Sequence, residues 1–180
     1  MNNTDLLDRL NAQFPEAILA HTDTYGMLAI EVARETVLPM LTFLKNDEAL
    51  EMNFLTDLCG VHYPDQTDRE LGLVYHVHSM RNGTRLRIKT FFPIADPNMP
   101  TATTLYPAAG WMERETFDFF GVIFDGHADL RRILNVDEMD YHPLRKEYRL
   151  EDGTRLDKDD RFFGRDGHGA REFQKRVDRA

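Results

Sequence analysis

The sequence predicts an α+β domain: two layers, with a mixed or largely antiparallel sheet of about four to five strands and helices on one face, followed by an extended C-terminal arm. Three observations carry this. Helical spacing and strand alternation succeed one another in the order α-β-β-α-β-β-β-α. Tight-turn sequences join two of the strand pairs, at 23–26 and at Arg81-Asn82-Gly83-Thr84. After Asp137 the periodicity fades and glycines accumulate. The expected division is a body over residues 1–134 and an arm and tail over residues 135–180.

The first helix begins at a cap supplied by Thr4 or Asn3, turns Leu6, Leu7, Leu10 and Phe14 inward, and ends at Pro15. Residues 17–21 and 27–32 read as two strands about a turn. Residues 35–45 form the second helix, with Val37, Leu38, Leu41 and Leu44 on one face. Pro39 fits that helix only in its first turn, where a missing N–H is harmless. Residues 52–62 read as a turn or short helix leading into a strand. Residues 71–79 alternate as a strand, and residues 85–92 pair with them across the Asn82-Gly83 turn. Leu86, Ile88, Thr90 and Phe92 take one face of that second strand, and Arg85, Arg87 and Lys89 the other, so the hairpin is wet on one side. A loop with four prolines spans 93–107, a helix spans 107–120, and a short extended piece, 122–124, turns at Asp125-Gly126. A last short helix is expected over 170–177.

At 180 residues and 42% apolar content, the chain can build one real core. A net charge of −9 argues against general affinity for nucleic acid or anionic membrane. The charge is uneven: residues 144–180 hold 11 Lys and Arg against 9 Asp and Glu, leaving 11 against 22 for the rest. The single cysteine, Cys59, cannot form an internal disulfide or hold an iron–sulfur cluster, and reads as a small buried residue. No run of about 18 apolar residues exists to span a membrane, and the amino terminus lacks the basic and apolar regions of a signal peptide. The expected location is cytoplasmic, or on a membrane only through partners.

Residues 111–146 are the most informative stretch. Met112, Thr116, Phe119 and Phe120 make one mostly apolar helical stripe. Trp111, Arg114, Glu115 and Asp118 make a second, and Gly121 suits a left-handed helix end. A Trp beside a compact acid–base–acid set is unusual for a solvated face. If the face is covered, each charge needs a partner, because one unpaired buried charge costs roughly 3–5 kcal/mol. Arg131, Arg132, Arg145 and Lys146 are the nearest counter-charges in sequence. The inference is a charged surface closed over by the chain's own arm or by another protein. In His142-Pro143-Leu144-Arg145-Lys146, Pro143 biases His142 toward extended backbone, and a stiff basic segment suits an acidic partner.

Other chemistry is weakly signalled. Glu113, Glu115 and Asp118 resemble a hydrolytic carboxylate set only loosely, since their helical spacing is unspecific and each is expected to have an Arg within reach. Of the seven histidines, His76 and His78 share a strand face and His127 follows a turn, with no zinc-type spacing. The glycines around His168 lack the setting and the lysine of a phosphate loop, and Ser79 has no nucleophile motif. A stand-alone metal- or carboxylate-dependent hydrolase is therefore the weaker of two function classes.

Glu113-Arg114-Glu115, Asp118, Gly121, Phe124, Gly126-His127, Asp129-Leu130-Arg131-Arg132-Ile133-Leu134 and Pro143-Leu144-Arg145-Lys146 together resemble the signature of the C-subunit (30-kDa-type) family of bacterial NADH-quinone oxidoreductase, respiratory complex I. Ala128, Met139, Tyr141 and Glu147 depart from the usual family pattern. The resemblance implies a non-catalytic structural subunit of the quinone-side module in the peripheral arm, beside subunits D, B and I. It implies no cofactor in this chain, with FMN, iron–sulfur clusters and quinone on partner subunits. The implied location is the cytoplasmic side of the inner membrane, peripherally held. Trp111, Glu113, Arg114, Glu115, Asp118, Gly121, Gly126, His127, Leu130, Arg131, Arg132, Pro143, Leu144, Arg145 and Lys146 are then interface or signature positions, with the arm from Arg131 onward wrapping the first of those neighbours, the D-type one. The homologous subunit of a membrane-bound hydrogenase, or of an F420H2- or ferredoxin-fed relative, is the alternative.

Overall fold

The computed structural model describes residues 2–148. The tail glycines and the helix expected over 170–177 lie outside these residues. The element order is α1 (Asn3–Gln13), β1 (Ile18–Thr24), β2 (Met27–Val32), α2 (Arg34–Asn46), β3 (Phe54–His62), β4 (Leu71–His78), β5 (Arg85–Phe92), β6 (Asn98–Pro100), α3 (Ala109–Phe120) and β7 (Ile123–Asp125). This is the expected α+β architecture.

The cap of α1 is Asn2, neither Asn3 nor Thr4. Asn2 Oδ1 accepts from the Asp5 amide at 2.7 Å, and the Asp5 carboxylate accepts from the Asn2 amide at 3.4 Å, a reciprocal capping box. Asn3 instead donates to Asp23 and to the Gly26 carbonyl, tying α1 to the first hairpin. That hairpin turns through Tyr25 and Gly26, both left-handed (φ 55° and 75°), the geometry that matches the twist of the flanking strands.

Pro39 lies in the interior of α2, not in its first turn. A proline there costs about 3 kcal/mol. Burial of Val37, Met40, Leu41 and Leu44 offsets it, at roughly 1.5–3 kcal/mol for each large side chain.

The main sheet has the order β1-β2-β5-β4-β3. Only β2 and β5 run parallel; the other neighbours are antiparallel. Of residues 52–62, expected to be a turn or short helix leading into a strand, Phe54–His62 are strand throughout. A register shift between Leu55 and Asp57 accounts for the difference: it brings Leu55 and Leu58, three apart, to the buried side.

Leu28, Ile30, Leu73, Tyr75, Leu86 and Ile88 face one core together with Leu6 and Leu10 of α1, the α2 stripe and Ala109 of α3. The opposite sheet face is half-exposed. Asp57, His76 and Arg87 lie in one cross-strand row there, and Arg87 Nε donates to His76 Nε2 at 2.8 Å. Within the stretch that the prolines mark as loop, β6 pairs in parallel with β7 and forms a second, small sheet.

Candidate functional site

α3 presents two buried carboxylates five positions apart, and they are held in opposite ways. The expected faces are also corrected. Glu113, Thr116 and Asp118 are the deeply buried side chains of its middle and end, while Met112, Phe119 and Phe120 are only partly covered. Trp111 is 64% exposed.

Asp118 has no exposed side-chain surface. Its Oδ1 accepts from Arg132 Nη1 at 2.7 Å and from Asn135 Nδ2 at 3.1 Å. Its Oδ2 accepts three successive amides, from Ile133 (3.1 Å), Leu134 (2.8 Å) and Asn135 (2.9 Å). Three consecutive N–H groups on one oxygen form an anion-binding concavity of main chain. Burial pushes the Asp118 carboxyl up, but the amides of Asn135 and Leu134, the Arg132 guanidinium and the Ile133 amide outweigh it and hold it well below the usual carboxylate range.

Arg132 is nearly buried, and its guanidinium closes a loop. Nη1 donates to the Asp118 carboxylate and carbonyl, and Nη2 to the carbonyls of Met139 (2.6 Å) and Tyr141 (2.9 Å). Residues 132–141 are thus cinched by a single side chain. Arg114 does not pair with Asp118 along the helix, as the spacing would allow. It donates to the carbonyls of Arg131 and Arg132 and lies 5.2 Å from the Trp111 ring centroid.

The chain then crosses the C-terminal end of α3, whose last carbonyls have no helical donor. His142 Nδ1 meets the Asp118 carbonyl at 3.0 Å, the Leu144 amide donates to Phe119 O at 3.2 Å, and Arg145 Nε donates to Phe120 O at 2.7 Å. A cation at this end also suits the helix dipole. The Lys146 amide continues to His62 Nδ1 on β3 at 2.9 Å. Gly121 adopts φ 75°, and a Cβ there would sit 2.5 Å from the His142 ring and 2.6 Å from Arg145 Nη2. Glycine is needed twice over, for its backbone and for the approach of the arm.

Among the described residues Glu113 has no arginine partner, which corrects the expectation that every acid on this helix has one. Its Oε2 accepts from Thr101 Oγ1 at 2.6 Å and its Oε1 from the Ala102 amide at 2.7 Å. Burial pushes its carboxyl up, and these two neutral donors only partly offset that. The Glu113 carboxyl fastens the proline-rich loop to α3. Beside it, His127 Nδ1 accepts from the Asp129 amide, so Nε2 carries the proton and donates to the Gly110 carbonyl at 3.0 Å. Gly126, left-handed at φ 85°, turns the chain toward His127.

Of the sequence-derived positions, Glu113, Asp118, Gly121, His127, Arg132 and Arg145 are thus internal fasteners. Glu115 is exposed and makes no ion pair among the described residues. Arg131 is 68% exposed and, among the described residues, pairs only with Asp129. Leu130 packs against the core edge, and Pro143 is half-buried beside exposed Leu144 and Lys146. Sequence reading missed Thr101, Ala102 and Asn135. Only the threonines at 101, 103 and 104, clustered in the proline-rich loop, signalled the first two. Among the described residues no group of three metal-ligating side chains converges, and no helix is long and apolar enough to cross a membrane.

Residues 30–154 match the family described as "Respiratory-chain NADH dehydrogenase, 30 Kd subunit". The NADH-quinone oxidoreductase C-subunit of Nocardioides sp. is 46% identical over 69% of this chain, which spans about half the length (50%) of that relative. The corresponding C-subunit of Roseiflexus sp. is 41% identical over 83% of this chain and 86% of its own. Among solved structures, the trypsin-resistant fragment (1–134) of Nqo5 superposes with a TM-score of 0.62 at 30% identity, over 72% of this chain and 100% of the fragment. A chain of the membrane-bound sulfane sulfur reductase, an archaeal respiratory membrane complex, superposes with a TM-score of 0.70 at 26% identity, over 82% and 85%.

Proposed function

The chain belongs to the family of the 30 kDa subunit of respiratory-chain NADH dehydrogenase, and from that premise we propose that it is a non-catalytic structural subunit of proton-translocating NADH-quinone oxidoreductase. It sits in the quinone-side module of the peripheral arm and holds neighbouring redox subunits at fixed separations while electrons pass from NADH to quinone. Its neighbours are subunits D, B and I. It carries no cofactor; FMN, the iron–sulfur clusters and quinone belong to partners in the complex. It lies on the cytoplasmic side of the inner membrane and reaches the bilayer only through the complex.

One observation above all supports this reading. Five charged groups of the signature, Glu113, Arg114, Asp118, Arg132 and Arg145, are spent on internal hydrogen bonds that fasten a loop and an arm to α3. Groups bonded in this way are set to fix a shape, not to move protons or bind a substrate. The likeness to a chain of an archaeal respiratory membrane complex favours one second reading, the equivalent subunit of a hydrogenase-type or ferredoxin-fed relative. Purifying the chain with its partners from mild-detergent membranes tests both. Recovery with flavin- and nicotinamide-binding subunits supports the first, and recovery with hydrogenase-type subunits supports the second. A chain recovered alone that turns over a substrate would overturn both.

A further inference from the structure

We propose that residues 132–141 are a rigid docking knob for a neighbouring subunit whose surface offers an apolar pocket rimmed by Lys and Arg. The proposal rests on the reading of the chain as a subunit of a larger complex.

The segment is built inside out. Its polar main-chain groups turn inward, with three amides on Asp118 and two carbonyls on Arg132. Two of its large apolar side chains turn outward, Leu134 at 67% exposed and Val136 at 62%, while Ile133 and Met139 are half-buried. Exposed apolar side chains on a loop whose backbone is fixed from beneath lose little freedom when covered, the usual condition for a tight anchor. Trp111 extends the same surface, because Arg114 stacks against its ring and bonds the carbonyls of residues 131 and 132.

Charge sets the partner's chemistry. Asp137, Glu138 and Asp140 are all exposed beside the two apolar side chains, and none forms an ion pair among the described residues. Two of the cations read from the sequence are occupied, Arg132 by Asp118 and Arg145 by the end of α3, while Arg131 and Lys146 stay exposed at either side of the segment. The outward face of this segment is therefore acidic and apolar, distinct from the basic segment 142–146 that follows it. An apolar pocket with a basic rim is the complement.

The test uses the full-length chain expressed with its native complex, purified in mild detergent. Leu134→Ala with Val136→Ala, and separately D137K/E138K/D140K, are each expected to lower recovery of the chain with the other subunits by roughly tenfold or more. Thermal melts of the two purified full-length variants should match wild type, because the altered side chains face outward. Wild-type recovery of both variants would refute the knob and leave the subunit reading intact. A wild-type chain that co-purifies with no other subunit removes both. Unfolding of both variants would contradict the outward placement and so the proposal.

Discussion

Asp118 and Glu113 are the same kind of group on the same helix, both out of solvent, yet the carboxyl of one is held well below its ordinary range and that of the other is pushed above it. Asp118 collects four N–H donors and a guanidinium; Glu113 has one hydroxyl and one amide. The difference shows that burial alone does not decide a carboxylate's charge. What decides it is how many donors the incoming chain delivers. The arm delivers many, and the proline-rich loop delivers few.

The largest effect should separate these two sites. Asp118→Ala leaves three amides without an acceptor and the Arg132 guanidinium without its counter-charge, and should cost about 3–5 kcal/mol in urea unfolding. Glu113→Gln should cost less than about 1 kcal/mol, since the amide oxygen still accepts from Ala102 and the Thr101 hydroxyl can turn to accept. Equal losses would erase the contrast.

The two adjacent arginines sharpen it next. Arg132→Ala should destabilise the isolated chain by about 3–5 kcal/mol because it strips a buried carboxylate of its ion pair. Arg131→Ala, removing an exposed pair with Asp129, should cost about 0–1 kcal/mol. Gly121→Ala comes between. The left-handed backbone alone costs about 1–2 kcal/mol, and the new Cβ also collides with His142 and Arg145, so the arm should loosen and exchange faster at the Leu144 amide.

The smallest effect is in pH dependence, and the signs oppose. The Asp118 carboxyl is depressed on folding, so its contribution is present above its ordinary value of 3.8 and is lost as pH falls below it. The Glu113 carboxyl is raised on folding, so its ionisation erodes stability as pH climbs past its ordinary value of 4.5. Asp118→Asn should flatten the acid side of the stability curve, and Glu113→Gln should flatten the decline above it.

Much of this was legible in the residues. Strands β2 and β5, the Asn82-Gly83 turn, the span of α3 and the left-handed Gly121 follow from spacing and turn chemistry. So does the closing of a charged helix face, once the cost of an unpaired charge is weighed. The rest depends on events that local pattern does not encode. The bulge in β3 changes the apparent period of its apolar residues. Pro39 survives mid-helix because the buried stripe around it outweighs its local cost. Glu113 finds neutral donors in a loop whose path the sequence does not state. The arginines were legible as charge, but which closure they serve was not: Arg132 and Arg145 turn inward onto α3, the closure by the chain's own arm, one of the two that the sequence left open.

Hydrogen exchange at Ile133, Leu134 and Asn135 in the isolated full-length chain tests the core of this picture most directly. If Asp118 seats these amides without help from any other polypeptide, they exchange slowly in wild type and much faster in Asp118→Ala. Exchange at the rate of free peptide in the wild-type chain would mean that the loop closes only against a partner.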